Sequence, residues 1–198
     1  MRWLEPLESE AVLIAADDVD TDQIVPARFL KGTDRAGLGT ALFADWRRDA
    51  DGRPRPEFAL NGDGADRARV LVVGRNFGCG SSREHAAWAL ADWGFRAVVG
   101  IDFADIFRSN ALKNGILPVQ LEAEVHARLA AQVRPGALLR IELEACILGM
   151  PDGSVARFGI EPFARHCLLE GIDDLGYLLE RHAAIVAYER TRAAERAR

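Results

Sequence analysis

Short apolar runs alternate with amphipathic segments along the middle of the chain. Residues 70–74 and 97–101 are apolar and rich in valine, which is typical of strands buried on both faces, and residues 116–119 predict a third such strand. Between these runs, residues 81–92 and 103–112 have the hydrophobic spacing of helices. Strands that alternate with helices of about a dozen residues are typical of βαβ crossovers, so the pattern predicts a parallel sheet.

The flanking segments predict strands of a different kind. Residues 12–16 form an apolar run that predicts a buried strand ending in an acidic loop. Residues 122–133 predict a helix, and residues 138–148 are long enough for one or two strands. The Pro-Asp-Gly sequence at 151–153 predicts a turn into a strand at 155–158, so this part is expected to be antiparallel. We therefore predict an α/β fold with a mixed sheet, a parallel βαβ core and flanking helices.

The remaining segments predict loops and small helices. Residues 32–39 and 49–66 are rich in glycine, proline or charged residues and predict surface loops. They flank a small helix predicted at 41–46, and residues 26–30 predict one helical turn. Loops of this length inside a compact domain are often functional.

The C-terminal segment predicts an amphipathic helix that begins at an Asp173 cap. Five apolar side chains and a histidine recur there at helical spacing, namely Leu175, Leu178, Leu179, His182, Ile185 and Val186. A chain of 198 residues is in the size range of one domain. We expect a single domain over residues 1–198, with residues 170–198 as a helical appendage.

Composition excludes several functional classes. The 25 Lys and Arg residues against 30 Asp and Glu residues give a net charge of -5, which lacks the basic surface that nucleic-acid binding needs. The first residues are acidic where a signal or transit peptide is basic, and no apolar run approaches the roughly 18 residues of a membrane span. We expect a cytoplasmic protein that binds neither nucleic acid nor membrane.

The cysteines argue against a metal site within this chain. Cys79, Cys146 and Cys167 are odd in number, far apart and form no C-x-x-C pair. This pattern supports neither a disulfide framework nor a self-contained zinc or iron–sulfur site. Any metal in the active protein is expected to come from elsewhere.

The segment most suited to chemistry is GRNFGCGSSREH at 74–85. It follows a predicted strand and opens a predicted helix, so its serines and Arg83 are expected at free helix amides that favour a carboxylate or phosphate. Its three glycines allow a tight turn and the close approach of a ligand. Ser81 and Glu84 also fit a capping box, which would make Ser81 a helix cap and nothing more. A dinucleotide-binding turn is disfavoured because the glycines lack the G-x-G-x-x-G spacing.

Three segments together resemble the swivelling domain of the aconitase superfamily. They are DVDTDQIVP at 18–26, GCGSSREHA at 78–86 and NALKNGILPV at 110–119. The length, LFADWR at 42–47 and FARHCLLEG at 163–171 are similar to bacterial small subunits of 3-isopropylmalate dehydratase, so the resemblance spans nearly the whole chain. Three ordered matches are far more specific than one.

This resemblance implies a hydro-lyase that acts on a small dicarboxylic hydroxy acid. In the family, 2-isopropylmalate is dehydrated to 2-isopropylmaleate and rehydrated to 3-isopropylmalate in leucine biosynthesis. The leaving hydroxide is taken by a four-iron four-sulfur (4Fe-4S) cluster, which a separate large subunit holds on three cysteines. The chain is therefore expected to bind no metal itself and to be active only with that large subunit.

The resemblance also assigns roles to residues. The motif places the serine base that removes the carbon-bound proton at Ser81, where a helix N-terminus and Arg83 are expected to stabilise the oxyanion. It implies that Ser82 and Arg83 bind substrate, with Arg83 as a bidentate clamp on a carboxylate. Asp22 matches an aspartate that orients a histidine, which here would belong to the large subunit. Arg35 corresponds to a second substrate-binding arginine.

Neighbouring residues of the motif are expected to shape the loop. Gly78, Cys79 and Gly80 would form the anion-binding turn, with Cys79 as a small packing residue where aconitases commonly carry Glu. Glu84 and His85 are expected to brace this loop without touching substrate.

Two alternatives to the leucine-pathway reaction remain open at this point. The first is a related hydro-lyase subunit for citraconate, citramalate or homoaconitate. These substrates would be distinguished by only one loop, at 28–39, which is expected to contact the substituent that differs between them. A few methylenes in an apolar pocket change binding by only about 1–3 kcal/mol. The second is a non-catalytic module that binds an anion through residues 78–83 alone.

Overall fold

A seven-stranded mixed sheet runs through the part of the chain that the computed structural model describes, which is residue 3, residues 5–30 and residues 35–196. Its strands are β1 (Leu7–Ile14), β2 (Val70–Val73), β3 (Ala97–Gly100), β4 (Leu117–Gln120), β5 (Leu138–Glu142), β6 (Ile147–Gly149) and β7 (Val155–Arg157). The spatial order is β4-β3-β2-β1-β5-β6-β7. Strands β1 to β4 pair in parallel, and β5 to β7 continue the sheet with antiparallel pairing.

The helices of the described residues connect and cover these strands. They are α1 (Thr21–Ile24), α2 (Ala44–Arg47), α3 (His85–Trp93), α4 (Asp105–Lys113), α5 (Ala123–Ala130), α6 (Pro162–Glu170), α7 (Asp174–Glu180) and α8 (His182–Arg196). Single 3-10 turns occur at Ala27–Phe29, Leu38–Ala41 and Ala59–Asn61. These elements confirm the predicted α/β fold with a mixed sheet, a parallel core and flanking helices. The predicted loop at 32–39 lies partly outside the described residues.

Strand β1 joins the two halves of the sheet. Its second half pairs in parallel with β2, with Ala11 opposite Val70, while its first half pairs antiparallel with β5, with Leu7 opposite Ile141. The first half also makes β1 start five residues before the predicted position. Buried and exposed side chains alternate in this half, as expected for a strand with one solvated face, so no continuous apolar run marks it.

The core lies on both faces of the sheet. All four residues of β2 are buried, because alternate side chains point to opposite faces and both faces are covered. Leu71 and Val73 belong to a cluster that includes residues of α3 and α4, and Val70 and Val72 belong to a second cluster that includes residues of α5 and α6. Each such side chain stabilises the fold by roughly 1.5–3 kcal/mol.

The tail forms two helices where one was predicted. The Asp173 cap is confirmed, since its Oδ1 accepts a hydrogen bond from the Gly176 N–H at 2.7 Å. Helix α7 then ends at Glu180, and the N–H of its C-cap Arg181 bonds to the Leu178 carbonyl three residues back instead of continuing the α-helical pattern. The predicted single helix is therefore wrong. Tyr177 packs on Phe163 with ring centres 4.7 Å apart, whereas the leucines of α7 remain more than half exposed.

Candidate active site

Two loops leave the carboxyl ends of the neighbouring parallel strands β1 and β2 and run side by side. Residues 17–21 follow β1 and residues 75–81 follow β2, because parallel pairing brings both strand ends to the same edge of the sheet. Three backbone hydrogen bonds join the loops: Asp18 N–H to Arg75 O (2.8 Å), Gly78 N–H to Val19 O (2.7 Å) and Thr21 N–H to Cys79 O (2.9 Å). Ligands commonly bind at this end of open α/β sheets.

The backbone conformation of the second loop depends on Gly78. Its φ is +78°, and a Cβ at this position would overlap the ring of Phe107 on α4. Gly80 also has a positive φ, +92°, and lies against Thr21, whose Oγ1 would be 3.6 Å from an added Cβ. The predicted turn at the glycines is therefore present. The groups that lie close to these glycines are the protein's own side chains, Phe107 at Gly78 and Thr21 at Gly80.

We expect Gly78→Ala to destabilise the protein by about 2–5 kcal/mol, because it combines left-handed backbone strain with overpacking against Phe107. Thermal or urea unfolding of the isolated chain measures this loss. Gly136→Ala is the matched control, since Gly136 has φ +81° but nothing within 4 Å of an added Cβ. Equal losses in the two variants would contradict the close contact with Phe107.

Ser81 lies against a buried threonine from the first loop. The Ser81 and Thr21 hydroxyl oxygens are 3.2 Å apart, and the Ser81 N–H donates to Thr21 Oγ1 at 3.3 Å. Thr21 Oγ1 is also 3.5 Å from the Ser81 carbonyl oxygen. Thr21 is only 2% exposed and begins α1, which is fixed by a capping box between Asp20 and Gln23 with both hydrogen bonds at 2.8 Å.

The predicted helix start at Ser81 is wrong. Helix α3 begins at His85, its N-cap is Glu84, and no side chain caps it, so the alternative in which Ser81 and Glu84 form a capping box is wrong. Residues 81–84 instead have tertiary partners, among them Thr21 for the Ser81 N–H. The polar group within hydrogen-bond distance of Ser81 Oγ is therefore the Thr21 hydroxyl, and the free helix amides begin one turn further along the chain.

Arg83 and Asp22 form an ion pair across the two loops. Arg83 Nη1 donates to Asp22 Oδ1, with the Arg83 side chain 28% exposed and that of Asp22 53% exposed. A pair this open contributes only about 0–1 kcal/mol to stability. The ion pair joins two residues that were each predicted to belong to the site. Because a guanidinium has five N–H donors, Arg83 can bind a second acceptor beside Asp22.

The other residues of the turn differ in exposure. Ser82 is exposed, and its carbonyl lies 3.5 Å from Asn110 Nδ2 on α4. The Cys79 thiol lies 3.4 Å from the Asp18 carbonyl oxygen. Burial, and then the nearby carboxylates of Asp20 and Asp18, raise the pKa of Cys79. A thiol with a raised pKa is a poor nucleophile at neutral pH, which agrees with the expected packing role.

Arg35 belongs to a neighbouring cluster. Its guanidinium carbon is 4.8 Å from the centre of the Trp88 ring, and its Nη1 donates to Asn114 Oδ1 at 3.3 Å. Glu84 accepts hydrogen bonds from Asn114 Nδ2 at 2.8 Å and from Trp88 Nε1 at 3.1 Å. The bond from Asn114 lowers the pKa of Glu84, burial opposes this, and Trp88, Arg35 and Lys113 add to the lowering.

The structure therefore separates the predicted site residues into two groups. Hydrogen bonds or ion pairs join Ser81 and its loop to Thr21, and Arg83 to Asp22, whereas the contacts described for Arg35 are with Trp88 and Asn114. Neither Thr21 nor Asn114 was among the predicted site residues. Both lie in the segments 18–26 and 110–119 that carry the family resemblance, and that position was the available signal.

Two cavities lie beside this cluster. One of about 710 Å³ is lined by Arg35, Trp88 and Lys113 with residues of α6 and α7, and one of about 550 Å³ includes Glu84. Ser81 and Arg83 line neither of them. Ser81 and Ser82 are exposed on the surface, outside these two clefts.

The described residues do not fit an iron–sulfur cluster. They contain no group of three or more His, Cys, Asp or Glu side chains that could hold a metal ion. All three cysteines are free thiols in separate parts of the chain: Cys79 lies between β2 and α3, Cys146 between β5 and β6, and Cys167 on α6. In the described part of the chain, no helix combines the length and apolar character that crossing a membrane requires.

Comparison with known proteins gives a consistent assignment. Residues 4–124 match the family model of the aconitase C-terminal domain. A 3-isopropylmalate dehydratase small subunit from Anaeromyxobacter sp. (strain K) is 56% identical over 189 residues, covering 96% of this chain and 98% of that protein. The one from Roseiflexus sp. (strain RS-1) is 50% identical over 196 residues, covering 98% and 96%.

A solved structure shows the same fold. The crystal structure of 3-isopropylmalate dehydratase from Methanocaldococcus jannaschii matches with a TM-score of 0.67 at 25% identity, covering 93% of this chain and 99% of that one. The fold and the paired loops define a swivelling domain of the aconitase superfamily. Within that class, the chain belongs to the family of 3-isopropylmalate dehydratase small subunits.

Proposed function

We propose that this chain supplies the proton-transferring and carboxylate-binding half of a 3-isopropylmalate dehydratase, a hydro-lyase of leucine biosynthesis, and that a large subunit completes the site. The observation that carries the proposal is the placement of Ser81 beside Thr21 and of Arg83 beside Asp22 at the carboxyl ends of adjacent strands. The relatives are named as 3-isopropylmalate dehydratase small subunits. The proposed reaction is the one that the family resemblance implies, in which 2-isopropylmalate and 3-isopropylmalate interconvert through 2-isopropylmaleate.

Ser81 is the proposed base for the carbon-bound proton. A serine hydroxyl is a weak acid, so its oxyanion needs a positioned donor in a site that excludes water. The Thr21 hydroxyl is placed for this role, because it lies 3.2 Å from Ser81 Oγ and is itself buried. The one proton of the Thr21 hydroxyl has two acceptors within reach, Ser81 Oγ at 3.2 Å and the Ser81 carbonyl oxygen at 3.5 Å, and the shorter contact is the one proposed to stabilise the oxyanion.

Arg83 is the proposed clamp for a substrate carboxylate, with Ser82 beside it. Its pairing with Asp22 holds the guanidinium at the loop in the isolated chain and leaves further N–H donors for a bidentate contact. Asp22 is 53% exposed on its side chain, so it is also accessible to a histidine of the large subunit, as the family pattern implies. Arg35 is the proposed second substrate arginine, reaching the substrate from the Trp88 side of the loop.

A large subunit is the proposed partner that completes the site, in agreement with the small-subunit name of the relatives. Ser81 and Ser82 are exposed on the surface, and chemistry that depends on an oxyanion requires the exclusion of water. We place a 4Fe-4S cluster on the large subunit, where it supplies the Lewis acid for the hydroxyl group, because the described residues here offer no ligand set for it.

Anaerobic co-expression with a candidate large subunit tests this function. We expect absorbance to report 2-isopropylmaleate formed from 3-isopropylmalate by the mixture and by neither subunit alone. No activity on isopropylmalate despite a stable complex with an intact cluster would contradict the substrate assignment, and citraconate, citramalate and homoaconitate would be tried next. Failure to form any complex would contradict the two-subunit enzyme itself.

A further inference from the structure

Asn114 is one member of a closed ring of polar contacts beside the candidate site. The four-residue ring consists of Glu84, Trp88, Arg35 and Asn114. Going round it, Asn114 donates to Glu84, Trp88 also donates to Glu84, Arg35 stacks on Trp88, and Arg35 donates back to Asn114. Each of the four residues therefore contacts two others.

The ring links segments that are distant in sequence. Arg35 lies between the segments 18–26 and 78–86 in the sequence, Glu84 directly follows Arg83, and Asn114 is the C-cap of α4. The bond from Arg35 to Asn114 spans 79 residues, and the bond from Asn114 to Glu84 spans 30. The ring thus connects Arg35 to the segment that carries Ser81, Ser82 and Arg83.

The amide of Asn114 fits only one orientation in this ring. Its Nδ2 donates to Glu84 Oε1 and to the Asn110 carbonyl, both at 2.8 Å. Both acceptors require the NH₂ group, so the amide oxygen is left facing Arg35, whose guanidinium can only donate. The carboxylate of Glu84 therefore fixes, through Asn114, the acceptor that orients Arg35. Charge-assisted bonds of this kind are about twice as strong as neutral ones.

We propose that Asn114 is a positioning residue that couples the two substrate-binding arginines: it braces the Arg83 segment through Glu84 and orients Arg35 through its amide oxygen. The proposal rests on the proposed function insofar as Arg35 contacts substrate. It gives a role to the segment 110–119, which the catalytic assignment otherwise leaves without one.

Asn61 provides a matched control. Its Nδ2 donates to the carbonyls of Arg47 and Arg55 at 2.7 and 2.8 Å, and its Oδ1 accepts from Arg47 Nε at 3.1 Å. Asn61→Ala therefore removes the same number of side-chain hydrogen bonds as Asn114→Ala, two donated and one accepted, without touching the ring. A general loss of stability would affect both variants alike.

The first test measures kinetics in the reconstituted two-subunit enzyme. We expect Asn114→Ala to raise KM for 3-isopropylmalate about tenfold, the effect of one charge-assisted hydrogen bond, with a much smaller change in kcat. Asn61→Ala should leave both constants near wild type. Because part of the effect of Asn114 passes through Arg35, the double variant Arg35→Ala/Asn114→Ala should raise KM by less than the product of the two single effects. An unchanged KM in Asn114→Ala, or additive effects in the double variant, would overturn the coupling.

The second test needs no activity and therefore separates this proposal from the proposed function. Amide hydrogen exchange of the isolated chain should be faster over residues 81–87 in Asn114→Ala than in wild type or Asn61→Ala. Unchanged exchange there would overturn the bracing even in a fully active enzyme. Faster exchange in a chain whose complex does not turn over isopropylmalate would sustain the bracing and refute the substrate. If Asn114→Ala does not fold, Asn114→Asp tests the same bracing, because it keeps the size but sets a second carboxylate against Glu84.

Discussion

Ser81→Ala in the reconstituted enzyme is expected to lower kcat by roughly 10²–10⁴-fold, the contribution of a positioned general base. The variant lacks the oxygen that takes the carbon-bound proton, and the nearby Thr21 hydroxyl is too deeply buried to replace it. Turnover of 3-isopropylmalate, followed by the absorbance of 2-isopropylmaleate, measures the loss. Substrate binding should change far less than kcat, because Arg83 remains in place.

The same substitution should leave the fold and the complex intact. Ser81 is exposed and is not a helix cap, so the loss is limited to one contact with Thr21, about 0.5–1.5 kcal/mol. Ser154→Ala is the control, since the Ser154 hydroxyl also makes one side-chain hydrogen bond, to Asp152 at 2.6 Å, but lies in the turn before β7. If Ser81→Ala turned over as fast as Ser154→Ala, Ser81 would not be the base.

The parallel core was predictable because its signal is local. Residues 70–73 and 97–100 are buried on both faces, so each reads as an uninterrupted apolar run, and their predicted bounds agree with β2 and β3 to within one residue. The first half of β1 was not predicted, because a strand with one solvated face alternates polar and apolar side chains over too few residues to stand out.

The loop around Ser81 shows what a local pattern misses. The spacing of Ser81 and Glu84 is that of a capping box, and by itself it favours a helix from residue 81. In the folded chain the Ser81 N–H instead finds Thr21, 60 residues away, which becomes adjacent only because β1 and β2 pair in parallel. The ring around Asn114 has the same origin, since none of its long-range contacts has a sequence signature of its own.

Arg83→Lys is expected to raise KM for 3-isopropylmalate by about 10- to 100-fold, the worth of a hydrogen bond to a charged group. A lysine keeps the positive charge but not the planar fork, so it cannot hold Asp22 and a substrate carboxylate in the geometry of a guanidinium. Steady-state kinetics of the reconstituted enzyme measure the change, which should fall mainly on KM because Ser81 is untouched.

The control for Arg83→Lys is Arg140→Lys. Arg140 pairs with Glu8 and Glu142 on the surface of the sheet. Replacing it with lysine changes a comparable set of ion pairs at a position away from the two loops. Equal KM values for the two variants would show that the pairing of Arg83 with Asp22 is structural only. A rise in KM confined to Arg83→Lys would instead mean that substrate shares the guanidinium with Asp22, so that one arginine both joins the two loops and binds the molecule between them.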